Sequence, residues 1–112
     1  MPALLHGIRV LDFGRYIAGP YCAALLAEYG ADVIRIEKRD GSEDRFPTPV
    51  GGGAGALFLQ MNRNKRSMTL DPASPEGRKV VERMVKRADV VIANLPQATL
   101  NSMGLDYATL CS

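Results

Sequence analysis

The stretch Gly7-Ile8-Arg9-Val10-Leu11-Asp12-Phe13-Gly14-Arg15-Tyr16-Ile17-Ala18-Gly19-Pro20-Tyr21-Cys22-Ala23-Ala24-Leu25-Leu26-Ala27-Glu28-Tyr29-Gly30-Ala31-Asp32-Val33-Ile34-Arg35-Ile36-Glu37 decides the fold. Ile8 to Phe13 is β-branched and apolar on both faces apart from Arg9 and Asp12, as a buried parallel strand requires. Gly14 opens a turn. Pro20 suits the first position of a helix, and Gly30 suits its end. Between them Tyr21 to Tyr29 is apolar nearly all round, which predicts a helix covered on most sides. Asp32 to Glu37 follows as a second strand with Val33, Ile34 and Ile36 as its core. Strand, glycine-bearing turn, helix and strand make a βαβ unit, and the first turn of such a unit is where a ligand usually sits.

Downstream, Lys38 to Ala56 loses periodicity: a charged run to Arg45, the proline-broken Phe46-Pro47-Thr48-Pro49-Val50, then the glycine-rich, flexible 51–55. A loop of that length in a small domain is either functional or disordered. Leu57 to Asn62 reads as a short helix, Asn62-Arg63-Asn64-Lys65-Arg66 as a polar turn, and Ser67 to Asp71 as a third strand. Ser74-Pro75-Glu76 is a helix start, with Val80, Val81, Met84 and Val85 on the inner face. Asp89 to Asn94 is a fourth strand, Gln97 to Met103 a short helix closed by Gly104, and Asp106 the cap of another. This order predicts an α/β, Rossmann-like fold with a mainly parallel open sheet and flanking helices. Parallel sheets need cover on both faces. The chain supplies few helices and stops inside a helix start, so 1–112 reads as the incomplete N-terminal portion of a larger domain.

The bulk numbers exclude several classes. Of 112 residues, 46% are apolar and 23% charged, ordinary for a soluble domain. Fourteen basic residues against twelve acidic ones leave a net charge of +2, so the charges read as solvated surface and argue against nucleic acid. No apolar run approaches the roughly 20 residues of a membrane span, and the N-terminus lacks a signal-peptide pattern. Cys22 and Cys111 make neither a metal spacing nor a disulfide framework, and Cys22 reads as a small hydrophobe inside its helix. The default location is cytoplasmic.

Chemistry is harder to place. Gly14 and Gly19 match the dinucleotide fingerprint only in part, since bulky Arg15, Tyr16 and Ile17 lie between them. Glu37 stands where the ribose acid would be, and otherwise reads as a solvated strand end. In open parallel sheets, ligands bind outside the carboxyl ends of the strands. Four such ends should converge: Gly14 to Ala18, Glu37 to Arg39, Leu70 to Ala73 and Asn94 to Pro96. Lys38 and Arg39 there suit a phosphate or are ordinary surface cations. His6 has no serine or cysteine partner at triad spacing and reads as surface. Asp12, Asp32, Asp71 and Asp89 look structural. The basic 62–67 stretch lacks the interleaved aromatics of a nucleic-acid site.

Several segments together resemble the class III CoA-transferases, the CaiB/BaiF-like group of formyl-CoA transferase, carnitine CoA-transferase and α-methylacyl-CoA racemase. They are Gly7 to Phe13, Ala18-Gly19-Pro20, Leu26 to Glu37, Asn62 to Ser67, Leu70-Asp71 with Ser74 to Gly77, Asp89 to Asn94, and Met103 to Tyr107. The resemblance implies a two-domain protein of several hundred residues that forms an interlocked homodimer. It implies transfer of CoA between carboxylic acids through an aspartate that becomes an aspartyl-CoA thioester. That aspartate lies beyond Ser112, so no residue here is assigned catalysis and the segment alone should be inactive. Coenzyme A is the implied ligand, with no metal. Its implied contacts are Ile17, Ala18, Lys38, Leu70, Asp71, Pro72, Ala73, Asn94, Leu95 and Pro96. Acyl-CoA, carboxylic acids, a second copy and the rest of the same protein are the implied partners.

The departures matter too. Formyl-CoA transferase-like members carry glutamine at the Ile17 position, which puts oxalate and formate chemistry in question. They carry arginine at Lys38, lysine at Ala73 and arginine at Ser102, and Asn-Phe-x-Pro-Gly where Asn94-Leu95-Pro96-Gln97-Ala98 stands. Other phosphate contacts are therefore expected, from Lys38, Arg39 or Arg66. An acyl-CoA racemase on the same fold, working by proton transfer, and a free-standing nucleotide-binding module are the alternatives. Tyr21 to Tyr29 should lack full cover in the isolated segment and make it self-associate.

Overall fold

The computed structural model describes residues 2–46, 50–51 and 54–112. Pro47-Thr48-Pro49 and Gly52-Gly53, within the stretch expected to be a loop, lie outside them. Four strands form one parallel sheet: β1 (Arg9–Asp12), β2 (Asp32–Glu37), β5 (Arg66–Thr69) and β6 (Val90–Ile92), in the order β5-β2-β1-β6. The chain first builds outward from β1 to β2 and β5, then returns to add β6 on the other side of β1. That reversal is the topological switch of a doubly wound, Rossmann-like sheet, and it places a crevice at the carboxyl end of β1.

Helix α1 (Ala18–Glu28) packs on one face of the sheet and α3 (Pro75–Val85) on the other. Side chains alternate along the strands, so each face has its own set. Leu11, Phe13 and Ile36 join Val81, Met103 and Leu105 on the α3 side. Val10 and Val33 join Ala23 and Ala31 on the α1 side. By the same alternation Asp12, Arg35 and Glu37 also point to the α1 side, nearer the carboxyl ends.

Helix α1 starts three residues before the expected Tyr21, so Pro20 is its third residue and not its first. A proline fits there because the N–H groups of the first turn have no partner within the helix in any case. Helix α3 starts as expected: the Ser74 hydroxyl accepts from the Gly77 N–H at 3.0 Å, and Pro75 is first. Helices α4 (Gln97–Met103) and α5 (Tyr107–Leu110) also fall where the sequence puts them, the first closed by Gly104 at φ 71°. The third strand begins at Arg66 and not Ser67, and ends at Thr69.

Helix α1 corrects one expectation. Cys22 is exposed, not packed as a core residue. The helix is also open along one side: Tyr21, Leu25 and Tyr29 are 49%, 37% and 57% exposed, while Ala23 and Ala24 are buried. Ala23 and Ala24 face the sheet with Leu26 packed partly beside them, while Tyr21, Leu25 and Tyr29 face away, a pattern that composition alone does not reveal.

The expected loop 38–56 is more structured than its composition suggests. A 3-10 turn spans Glu43–Arg45, β3 (Val50–Gly51) pairs antiparallel with β4 (Ala54–Gly55), and α2 (Ala56–Met61) leads to the Lys65 turn. This excursion lies over the α1 side of the strands' carboxyl half, where it meets Asp12, Arg35 and Glu37.

Candidate functional site at the carboxyl ends of the strands

The excursion is held by a buried ionic cluster. Arg35 is 2% exposed. It donates to the Gly14 carbonyl at 2.9 Å and to Asp44 Oδ2 at 2.6 Å, and lies 3.6 Å from Asp12 and 3.5 Å from Glu37. Arg45 donates twice to Glu37, at 2.7 and 2.9 Å, and the Ser42 N–H adds a third bond at 2.9 Å. Lys65 spends its three protons on Asp12 Oδ2, the Pro20 carbonyl and Asn62 Oδ1, at 2.7, 2.9 and 2.7 Å. Phe58 roofs the cluster, with the Arg45 guanidinium 4.1 Å from its ring centre. Three cations thus meet three carboxylates, the composition that a buried charged group needs.

Glu37 is therefore not a solvated strand end, nor is it free for a ribose. Burial pushes its carboxyl up. The Arg45 hydrogen bond, the Ser42 N–H and the charges of Arg35 and Arg45 outweigh that and hold it below the usual range. Burial pushes the Lys65 ammonium down, against the bond and charge of Asp12. Asp12 is structural as expected, but fully buried. Reading the charges as mostly solvated surface fails here, because their pairing depends on residues up to 53 positions apart.

The first turn is closed on itself. A Cβ on Gly14 would meet the Gly19 Cα and Pro20 Cδ at 2.8 Å, and one on Gly19 would meet Asn94 Oδ1 at 2.7 Å. Both glycines serve close approach, not a phosphate cradle. Asn94 accepts from the Arg15 N–H at 2.7 Å and donates to the Arg15 carbonyl at 2.9 Å, tying β6's end to β1's across the switch point. Tyr16 has φ 61°, rare for a non-glycine residue, and its N–H donates to Asp44 Oδ2 at 3.1 Å. The ionic cluster so reaches the turn as well as the loop. Helix α1 begins on this rim with no side-chain cap and no acid in its first turn.

A cavity of about 240 Å³ opens beside the turn. Phe13, Ile36 and Met103 give it an apolar floor, and Lys38 and Arg15 are the cations on its wall. Of the ten expected contact residues, Lys38, Leu70, Asp71, Pro72 and Ala73 line it. The other five do not. Asn94 clamps the turn, Leu95 packs against the core, and Ile17, Ala18 and Pro96 are exposed. Ala73 and Ser102 add no charge to the wall. Arg66 is on the wrong side: it pairs with Asp32 at the amino end of β2, 2.8 Å away. Arg39 borders a separate recess of about 290 Å³ with Asp40, Gly41 and Phe46. Arg15 is the lining cation missed by sequence reading, which treated it as bulk between two glycines.

A larger groove, about 490 Å³, runs along α3 between Arg9, Ile34, Val80 and Met84. It reaches the amino end of β1, away from the switch-point crevice, so size alone does not mark the site. Among the described residues no group of three or more potential ligands is placed to hold a metal, and no helix is long and apolar enough to cross a membrane.

Comparison with known proteins bears on the family and the fold. The chain is 42% identical over 108 residues to the succinyl-CoA–L-malate CoA-transferase beta subunit of Chloroflexus aurantiacus, covering 95% of this chain and 27% of that protein. It is 40% identical over 114 residues to the succinate–glutarate CoA-transferase of Agrobacterium fabrum, covering 95% and 28%. A crystal structure of a CAIB/BAIF family protein from Brucella suis superposes with a TM-score of 0.89 at 39% identity, over 98% of this chain and 30% of that one. The chain spans between a quarter and a third of the length of these relatives. The family model for CoA-transferase family III matches residues 5–112, and the chain belongs to that family.

Proposed function

We propose that the protein carrying this chain is a CoA-transferase that moves CoA between carboxylic acids, and that residues 1–112 supply part of its CoA site. One observation carries the reading: Lys38 and the 70–73 turn meet at a cavity on the carboxyl ends of a parallel sheet, where such sheets take nucleotides. The named relatives act on succinyl-CoA with L-malate and on succinate with glutarate, and a dicarboxylic acid is the substrate class we infer. Exposed Ile17 at the start of α1 is the position at which acyl preference is set.

Catalysis rests on an aspartate outside this chain. Its carboxylate attacks the thioester carbonyl and expels CoA thiolate, leaving a mixed anhydride. The thiolate then attacks the aspartyl carbonyl, giving aspartyl-CoA and the free donor acid. The acceptor acid reverses both steps. The segment alone is inactive, because it holds the ligand and not the nucleophile. The open side of α1, with Tyr21, Leu25 and Tyr29, supports cover by the rest of the protein or by a second copy in a homodimer. The cytoplasm, where CoA thioesters are available, is the inferred location.

Intact-mass spectrometry of the full-length protein after incubation with succinyl-CoA tests this. A covalent CoA adduct that disappears on adding a dicarboxylic acid is the expected result. No adduct and no CoA exchange across a panel of thioesters would sink the reading. Exchange of the α-proton of a 2-methylacyl-CoA in heavy water, without CoA transfer, would establish the racemase instead.

A further inference from the structure

We propose that Arg15 is a phosphate-binding residue of this site, acting with Lys38 as a two-point cradle for a phosphate group of the CoA ligand. The proposal rests on the reading that the strand-end cavity takes CoA. It names a contact that neither the family match nor the expected contact set contains.

The argument starts from how Arg15 is held. Its backbone is fixed on both sides by the Asn94 amide. Its Nη1 donates to the Phe13 carbonyl at 2.9 Å and the Gly14 carbonyl at 2.8 Å. The guanidinium is thereby set in one orientation before any ligand arrives, at the switch point of the sheet. Its side chain is 13% exposed, so little further desolvation is needed on binding.

Both of those acceptors are neutral carbonyls, so they orient the charge without cancelling it. The nearest carboxylate, Glu43 Oε1, is 3.7 Å from Nε, beyond hydrogen-bond range, and half exposed. Arg35 and Arg45, by contrast, are matched by buried acids, and Arg66 by Asp32. Neither carbonyl bond uses Nη2. Arg15 thus combines a fixed fork with a charge offset only by the looser, half-exposed Glu43, an arrangement suited to a phosphate oxygen pair.

The surroundings agree. Arg15 and Lys38 line one cavity whose floor is Phe13, Ile36 and Met103. Of its two acids, Glu37 is taken by Arg45 and Ser42, and Asp71 Oδ1 accepts from the Ala73 N–H at 3.0 Å. An apolar floor under two cations fits a nucleotide, with the base on the floor and the phosphate at the wall. A dicarboxylic acid has the charge but no group for the floor.

The test is calorimetric titration of the full-length protein with CoA and with pantetheine, which keeps the thiol arm and lacks the phosphates. Wild type should bind CoA. Arg15→Gln should weaken CoA about 10- to 100-fold, the range for losing one charge-assisted hydrogen-bonded contact. It should leave pantetheine within twofold and lower the salt dependence of CoA binding. Arg15→Lys should keep part of the affinity. If Arg15→Gln does not fold by circular dichroism, Arg15→Lys carries the test, with an expected loss of about 3- to 10-fold. CoA affinity within twofold of wild type would overturn the proposal. So would equal weakening of CoA and pantetheine, which would make Arg15 a brace of the turn. So would a raised KM for the dicarboxylic acid with CoA binding unchanged, which would move the assignment to a substrate carboxylate. Failure of the wild type to bind CoA would instead overturn the underlying reading of the site.

Discussion

The amino and carboxyl halves of the same two strands are buried by different means on the α1 side of the sheet. Below, Val10 and Val33 meet Ala23 and Ala31, and the contact is apolar. Above, Asp12, Arg35 and Glu37 meet Asp44, Arg45 and Lys65, and the contact is ionic. The lower half needs only hydrophobic side chains of about the right size. The upper half needs six specific residues, delivered from β1, β2, the 3-10 turn and the turn before β5. The apolar half makes the fold, and the ionic half fixes the shape of the rim where the proposed ligand site lies.

Removing one partner from the ionic half should have the largest effect. Arg35→Ala leaves three carboxylates buried around a missing cation, and denaturant unfolding should show a loss of about 3–5 kcal/mol. Val33→Ala, in the apolar half of the same strand, should cost only about 2 kcal/mol. Equal losses at the two positions would erase the distinction. The variants should also differ in kind. Arg35→Ala should expose the 38–65 excursion to limited proteolysis, while Val33→Ala should leave its cleavage rate unchanged.

Acid should reach the ionic half first. Glu37 has a folded pKa below its ordinary 4.5. Its contribution is therefore complete above about pH 4.5 and lost as pH falls through the folded value. Stability measured from pH 7 downward should hold and then fall below that point, and Glu37→Gln should flatten the fall. An unchanged acid limb in the variant would show that Glu37 titrates alike in folded and unfolded chains.

The smallest effect belongs to the amino end. Asp32 is held below its usual range mainly by the Arg66 hydrogen bond, with burial opposing and Arg9 assisting. The pair is solvated, with Arg66 64% exposed. Arg66→Ala should cost less than about 1 kcal/mol and leave CoA binding within twofold. A loss of CoA affinity there would place the ligand at the amino end of the sheet, opposite to the cavity described.

This contrast also explains what was legible in the sequence. The strand β1, the helix α3 with its Ser74 cap, and α4 with Gly104 follow from short-range patterns: apolar runs, one capping hydroxyl, one left-handed glycine. The order of elements leads to a parallel α/β sheet. The turn 70–73 and Lys38 follow from strand ends alone. The ionic half was not legible, because Asp12 and Lys65 look like surface charges until the sheet brings them to 2.7 Å. Arg15 escaped for the same reason. Its role depends on Asn94, which is 79 residues away. Incomplete cover of α1 is legible in the sequence, but not which side is open, since Tyr21, Leu25 and Tyr29 are as apolar as a core.

The most direct measurement is hydrogen exchange on the full-length protein with and without saturating CoA. Slowed exchange should be centred on residues 14–18, 38 and 70–73, around the cavity at the carboxyl ends of the strands. Protection confined to α3 and the start of β1, along the larger groove, would contradict the account.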